Sequence, residues 1–131
     1  MIKAISLFLA IVAFAAYINA NPTQCYECNI LSGSTCTEPK IENLDIQSCD
    51  DINQANNSTA DTVCFTVSTK WFGQLVTERG CYYQEIGGED VCSYFYRTEV
   101  NNVPLTDGYT CDLCYEDLCN TEEGVVSAAK N

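Results

Sequence analysis

The chain has 131 residues, of which 10 are Cys, 18 are Asp or Glu, 6 are Lys or Arg and none is His. That length predicts a single domain, and the formal charge of −12 argues against a nucleic-acid or anionic-membrane partner, because phosphate binding needs clustered cations. The absence of His removes the commonest general base and a common zinc ligand, so we expect no catalytic site, no metal site and no cofactor.

Residues 1–20 are predicted to be a secretory signal peptide. Lys3 precedes an apolar segment over residues 4–18, and Ala20 supplies a small residue before the cleavage site. The apolar segment has about 15 residues, which is short of the roughly 20 that a membrane-spanning helix needs. The alternative is a signal anchor that stays in the membrane. We expect cleavage after Ala20 and a secreted, extracellular protein.

All the cysteines follow this signal peptide. They are Cys25, Cys28, Cys36, Cys49, Cys64, Cys81, Cys92, Cys111, Cys114 and Cys119. Such a density in a short exported chain indicates a disulfide scaffold, and the even count fits complete pairing. The two Cys-x-x-Cys pairs are also compatible with zinc or a redox dithiol, but the lack of His and the remaining cysteines favour disulfides. The count leaves the pairing open.

The polar segment over residues 48–62 is predicted to be a loop. It contains Asn56-Asn57-Ser58-Thr59, which gives two overlapping glycosylation sequons. Because glycans on two adjacent residues would crowd each other, we expect one glycan, with Asn57 favoured over Asn56 by its Thr-type sequon. The alternative is an unmodified loop. Earlier in the chain, Ser32-Gly33-Ser34 predicts a turn, and Pro39 interrupts any strand.

A central hairpin is predicted from the alternating pattern that begins at residues 63–67, which is rich in β-forming residues. If Cys64 and Cys81 mark the two ends of this hairpin, its turn falls near Phe72-Gly73. Trp71 and Phe72 would then be displayed at the tip, where an aromatic pair is typical of an interface. The alternative is that one ring folds back over the sheet.

A further hairpin is predicted between Cys92 and Cys111. Its first strand would contain Tyr94-Phe95-Tyr96, whose rings we expect to pack in the sheet core, and its second strand would return over residues 105–110. The tip would lie near Asn101 and Asn102, a favourable turn pair with a lesser claim to partner contact. Asp107-Gly108 is a competing turn signal, which within the returning strand predicts a bulge.

The cysteine pattern resembles that of the three-finger LU superfamily, which includes the lymphocyte antigens and the urokinase receptor. The resemblance rests on Cys25-x-x-Cys28 at the start and on Cys114-x4-Cys119-Asn120 at the end, and Arg79-Gly80-Cys81 is closest to insect members. It assigns residues 21–120 to an LU domain. Residues 121–131 would be a short acidic-to-neutral C-terminal tail, without the apolar segment of a lipid anchor.

The resemblance implies a small all-β, disulfide-rich fold in which three β-hairpin fingers leave a disulfide knot. It implies that the side chain of Asn120 has a structural role and ties the end of the domain to the knot. The implied bridges are Cys25–Cys64, Cys28–Cys36, Cys49–Cys81, Cys92–Cys111 and Cys114–Cys119.

The resemblance also implies a non-enzymatic, monomeric protein that binds an extracellular or cell-surface protein through its finger tips. Receptors, ion channels and adhesion complexes are the candidate partners, and Trp71, Phe72, Asn101 and Asn102 are the candidate contact residues. One alternative is an assembly or trafficking factor for a membrane complex such as the septate junction. Another is a small hydrolase, which the lack of His and of a nucleophile motif disfavours.

Overall fold

A computed structural model of the chain describes residues 21–29 and 34–126. The predicted signal peptide, the turn residues Ser32 and Gly33, and the end of the predicted tail lie outside the described residues. Among the helices of the described residues, none has the length and apolar character needed to cross a membrane.

The described residues are mostly β-structure, arranged in antiparallel sheets. The strands are β1 (Gln24–Glu27), β2 (Asp45–Ser48), β3 (Thr62–Trp71), β4 (Gln74–Tyr83), β5 (Glu85–Ile86), β6 (Glu89–Asp90) and β7 (Thr106–Cys114). The helical segments are α1 (Ser34–Thr37), a 3-10 turn (Ile41–Asn43), α2 (Cys49–Ala55), α3 (Val91–Phe95) and a π-helical turn (Tyr96–Val100) that continues α3.

Three fingers can be recognised in this arrangement. The β1–β2 pair forms the first finger and the β3–β4 hairpin forms the second. The third consists of α3 with its π-helical turn and the returning strand β7, which adds to β3 and places β3 at the centre of a three-stranded sheet. The small all-β, disulfide-rich three-finger fold is therefore confirmed, although the outgoing arm of the third finger is helical.

The five disulfides have the pairing that the resemblance implied. They are Cys25–Cys64, Cys28–Cys36, Cys49–Cys81, Cys92–Cys111 and Cys114–Cys119. The Sγ atoms of Cys25 and Cys49 lie 3.5 Å apart, so two bridges pack directly against each other in the buried centre of the knot. Each Cys-x-x-Cys pair is divided between two bridges, so neither pair acts as a dithiol.

The second finger has the turn predicted for it. Trp71 pairs with Gln74, and the two residues between them, Phe72 and Gly73, have φ angles of 51° and 76°. A two-residue hairpin turn with both φ angles positive is of type I′, whose twist matches that of the flanking strands. Gly73 adopts this conformation without a steric penalty, whereas Phe72 does not.

The prediction of a strand through Tyr94–Tyr96 is wrong, since this segment is helical. The Asp90 side chain accepts a hydrogen bond from the Ser93 backbone N–H at 3.0 Å and so caps α3. Val91 and Val100 are buried, and the Phe95 ring packs against Phe65 of β3 with the centroids 4.8 Å apart. The β-propensity of consecutive aromatic residues was therefore overridden by a local cap and by packing.

The predicted bulge in the returning strand is present. Ser68 of β3 pairs with Thr110, whereas Lys70 pairs with Asp107, so β7 has one extra residue over this interval. Gly108 lies within the interval at φ 72°. A glycine in the left-handed region at an extra residue is the usual geometry of such a bulge.

The prediction of a loop over residues 48–62 is wrong for its first half, where α2 spans Cys49–Ala55. Asp50 and Asp51 lie in the first turn of this helix, where negative charge interacts favourably with the helix dipole. Ile52 packs against the disulfide core. The polar composition of the segment suggested a loop, but a short helix forms there and packs on the disulfide core through Cys49 and Ile52.

Arg79 is buried on one face of the central sheet and links that face to neighbouring segments by hydrogen bonds. The residue is 1% exposed, and its guanidinium donates hydrogen bonds to the Cys36 carbonyl at 3.0 Å, the Thr66 hydroxyl at 3.0 Å and the Asn120 carbonyl at 2.9 Å. It also donates to the Glu122 carbonyl. Burial lowers the pKa of this guanidinium, and the nearby charge of Glu122 opposes that effect. One side chain thus joins α1, the central sheet and the chain that follows Cys119, which we call the C-terminal segment.

The C-terminal segment is packed on the same face. The Asn120 side chain accepts from the Tyr26 N–H at 2.9 Å and donates to the Tyr26 carbonyl at 2.9 Å, which ties the segment to β1. Further on, the Gly124 N–H donates to the Thr37 carbonyl at 2.7 Å, and Gly124 lies against the hydrogen-bonded side chains of Ser68 and Thr77. A Cβ atom at Gly124 would overlap the Thr77 hydroxyl.

Candidate partner-binding surface

Trp71 and Phe72 are exposed at the turn of the second finger. The side chains are 42% and 63% exposed, and the ring centroids lie 4.9 Å apart in an edge-to-face arrangement. This geometry is favourable for aromatic pairs, so the two rings support each other while remaining accessible to solvent. The structure therefore places both residues where the sequence predicted them.

Two apolar residues of the third finger lie beside this aromatic pair. The Phe72 N–H donates to the Leu105 carbonyl at 3.1 Å, and Trp71 and Val103 line the same small cavity. Val103 is 37% exposed and Leu105 is 63% exposed. We call the four side chains, Trp71, Phe72, Val103 and Leu105, the tip patch. Sequence reasoning missed Val103 and Leu105, although two apolar residues beside a predicted turn were a usable signal.

The tip patch contains backbone conformations that L-residues rarely adopt. Phe72 has φ 51° and Leu105 has φ 64°, both in the left-handed region. Each such conformation costs on the order of 1 kcal/mol for a residue with a side chain. Strained residues of this kind concentrate at functional sites, so their presence at two exposed apolar positions points to a role for this surface.

Asn101 and Asn102 are exposed next to the tip patch, at the end of the π-helical turn. The Asn101 N–H donates to the Tyr96 carbonyl at 2.8 Å, and the Asn102 side-chain amide donates to the Arg97 carbonyl at 2.8 Å. Both residues thus terminate a helical turn rather than forming a hairpin tip. The Asn102 amide is engaged within the chain.

A cavity of about 490 Å³ lies between the first finger and the helical arm of the third, along the edge of β4. We call it the groove. Its aromatic wall has Phe65 against Phe95 with centroids 4.8 Å apart, and Tyr82 stacked on Tyr94 with centroids 6.2 Å apart. Tyr82 is partly desolvated, and this, together with the proximity of Tyr94, raises its pKa.

The groove also carries four carboxylates, each from a separate segment of the chain. They are Glu27, Asp45, Glu78 and Glu99. Desolvation raises the pKa of Glu78, and repulsion from Glu99 and Glu27 adds to that effect. Among the described residues that line the groove, the only basic one is Arg79, whose guanidinium is bonded on the opposite face of the sheet. The groove is therefore acidic.

A smaller cavity of about 190 Å³ adjoins the groove and extends toward the tip patch. Glu78 and Glu99 line both cavities. The remaining wall of the smaller cavity is mainly apolar, with Val67, Val76, Val100, Trp71 and Val103. The structure thus joins an exposed apolar tip, an apolar cavity and an acidic groove along one face of the central sheet.

Comparison with known families now identifies this architecture. The family model of the Quiver family u-PAR/Ly-6-like domain matches residues 23–120. The chain belongs to this family. No curated protein and no solved structure matches the chain. Domains of the u-PAR/Ly-6-like type are typically extracellular and generally non-enzymatic, so the family match supports a small modulator and leaves its partner open.

The disulfides of this Quiver-family domain bring sulfur atoms close together in two clusters. Cys25, Cys49 and Cys81 form one cluster, and Cys64, Cys114 and Cys119 form the other. Every sulfur in both clusters belongs to a disulfide, so none of them is a thiolate that could act as a metal ligand or a nucleophile.

The two sequon asparagines lie just beyond the C-terminal end of α2, and both are exposed. The Asn56 side-chain amide donates to the Ile52 carbonyl at 2.9 Å. The Asn57 side chain has no hydrogen-bond partner within the described residues, and its backbone lies in the left-handed region at φ 49°. Because a glycan is attached through the side-chain nitrogen, this geometry favours Asn57 over Asn56.

Proposed function

We propose that this protein is a secreted, non-enzymatic monomer that binds and modulates an extracellular or membrane protein through its finger tips. The partner would be a receptor, an ion channel or an adhesion complex. The observation that carries the proposal is the tip patch, in which four exposed apolar side chains from two fingers are held together. Clustered apolar side chains on a protein surface mark interaction sites, and Trp is among the residues that contribute most at interfaces.

The proposed mechanism needs no chemistry on this chain. The second and third fingers converge at the tip patch, and the disulfide knot and the hydrogen bonds of Arg79 hold the fingers in place. Because the patch is preorganised, binding would order few side chains and would lose little conformational entropy. Modulation would follow from blocking a surface of the partner or from stabilising one of its conformations.

The test compares cell-surface binding of the fluorescently labelled, disulfide-intact protein with that of Trp71→Ala and Phe72→Ala. We expect each substitution to weaken binding by about tenfold or more, the loss typical of an anchor residue. Tyr115→Ala is the matched control, because Tyr115 is a 52% exposed aromatic residue outside the patch. Trypsin treatment of the cells should abolish binding, since the proposed partner is a protein.

Equal affinities of Trp71→Ala, Phe72→Ala and the wild-type protein would rule out the tip patch as the contact surface. A different outcome would favour the assembly or trafficking role. In that case the secreted protein binds no cell surface, and cells that lack the protein fail to deliver a membrane complex to their surface.

A further inference from the structure

The groove is a preformed concave site beside the edge of β4. Its volume of about 490 Å³ falls within the range of ligand-binding cavities. Phe65, Phe95, Tyr82 and Tyr94 all line it, with the first two rings packed at a tilt and the last two stacked. Aromatic walls of this kind bind planar or cationic groups through their ring faces.

The chain itself shows which group suits such a wall. The guanidinium carbon of Arg97 lies 5.6 Å from the centroid of the Tyr94 ring, while its Nη2 forms an ion pair with Glu89 at 2.9 Å. One arginine is thus bound by a tyrosine ring and a carboxylate together. The groove presents the same combination, tyrosine rings beside Glu78 and Glu99, and the guanidinium of Arg79, its only basic lining residue among those described, is bonded on the opposite face of the sheet.

We propose that the groove binds an arginine side chain from an extended segment of a protein partner, and that the adjoining smaller cavity takes an apolar neighbour of that arginine. The carboxylates of Glu78 and Glu99 lie where the two cavities meet, so they would pair with the guanidinium. Val76 and Val100 would contact the apolar neighbour. Arginine suits the site better than lysine, because its planar group both stacks on tyrosine and pairs with carboxylates.

Charge complementarity supports this choice of partner. The groove is lined by the carboxylates of Glu27, Asp45, Glu78 and Glu99. Desolvation raises the pKa of Glu78 and repulsion from Glu99 and Glu27 adds to it, and a bound cation would offset that repulsion. An anionic or neutral ligand would leave that repulsion in place. The inference rests on the proposed role in protein binding, and it shares only Trp71 and Val103 with the tip patch, because these two residues also line the smaller cavity.

The test uses a fluorescently labelled peptide, acetyl-Gly-Leu-Arg-Leu-Gly-amide, and a twin in which citrulline replaces arginine. Citrulline has a similar shape without the charge. We expect the arginine peptide to bind, and the citrulline peptide to bind at least about fivefold more weakly, as measured by fluorescence anisotropy. Backbone amide shifts in NMR spectra should change in β4 and the π-helical turn.

Glu78→Gln and Glu99→Gln should each weaken binding of the arginine peptide by about threefold to tenfold. Glu123→Gln is the matched control, because it removes the same charge from the C-terminal segment on the opposite face, and it should leave the affinity unchanged. The proposal is overturned by absence of binding, by equal affinity for the citrulline peptide, or by an equal effect of Glu123→Gln. Equal affinity for free arginine amide would also overturn it, because a partner segment would then contribute nothing.

Phe72→Ala separates this proposal from the tip-patch proposal. Phe72 lines neither cavity, so its substitution should leave the affinity for the arginine peptide unchanged while weakening cell-surface binding. If Phe72→Ala leaves cell-surface binding intact while the groove variants lose the peptide, the tip patch fails and the groove stands.

Discussion

The two faces of the central sheet differ sharply, and consecutive residues of β4 show how. Arg79 points into one face, where it is 1% exposed and bonded to α1, β3 and the C-terminal segment. Glu78 points into the other face, where it lines an open groove beside further carboxylates. We call the side of the sheet that contains Arg79 the closed face and the side that contains Glu78 the open face. The polar groups of the closed face are hydrogen-bonded and stabilise the fold. The open face leaves like charges together, which is a cost that a binding partner would relieve.

The largest expected effect concerns the closed face. Arg79→Met keeps much of the side-chain volume but leaves several buried acceptors without donors, so we expect the free energy of unfolding to fall by about 3 kcal/mol or more. Urea denaturation with the disulfides intact measures this quantity. Arg97→Met is the control, since the solvent-exposed Arg97–Glu89 pair should contribute little to stability. Similar losses for the two variants would contradict the distinction between a closed face and an open one.

Gly124 tests how tightly the C-terminal segment packs on the closed face. Because a Cβ atom would overlap the Thr77 hydroxyl, Gly124→Ala should destabilise the protein by about 1–3 kcal/mol. Val125→Ala, at a neighbouring exposed position, should change stability by less than about 0.5 kcal/mol. A neutral Gly124→Ala variant would mean that the segment moves aside easily and does not close this face.

On the open face, Glu78 should lower stability at neutral pH. Its pKa is raised in the folded state, so the folded protein binds this proton more tightly than the unfolded chain does. The contribution is fully favourable below the ordinary pKa of 4.5 and is lost as the pH rises through the raised value.

Glu78→Gln should therefore have a higher melting temperature than the wild-type protein at pH 7, with the difference vanishing below pH 4.5. Glu123→Gln supplies the control for a general change in net charge. A Glu78→Gln variant that is less stable at pH 7 would show that this carboxylate has a stabilising partner, and the groove would then not be a site of unrelieved repulsion. The same variant is expected to bind the arginine peptide more weakly, so stability and binding should change in opposite directions.

The smallest effect on the fold is expected at Asn57, which belongs to neither face. We expect protein secreted from insect cells to carry one N-glycan, and Asn57→Gln to remove it with little change in stability. Mass spectrometry before and after glycosidase treatment measures the modification. Asn56→Gln is the matched control and should retain the glycan. Loss of the glycan in Asn56→Gln alone would place it on the other residue.

Local signals in the sequence predicted much of the architecture. The sequence predicted a turn near Phe72-Gly73, which the structure shows to be of type I′, and the glycine within the returning strand predicted the bulge. The disulfide pairing followed from the resemblance of the cysteine spacing to a known family. These features depend on few residues that are close in sequence or on a pattern shared by many chains.

The third finger shows where such reasoning failed. Tyr94-Phe95-Tyr96 suggested a strand because aromatic residues favour strands. The cap of Asp90 and the burial of Val91 and Val100 instead select a helix, which turns one side of the segment toward the central sheet. The choice between strand and helix depends on the surface against which the segment packs, and that surface cannot be predicted from the residues of the segment alone.

The disulfide-rich character, the hairpin turn and the exposed aromatic pair were determined by the sequence, because cysteine content and short-range backbone geometry can be read without any distant contact. The groove was decided by the tertiary structure alone. Glu27, Glu78 and Glu99 are far apart along the chain, and each is an ordinary surface acid until the fold brings them together. Repulsion between them exists only in that arrangement, because charges interact across space and not along the sequence.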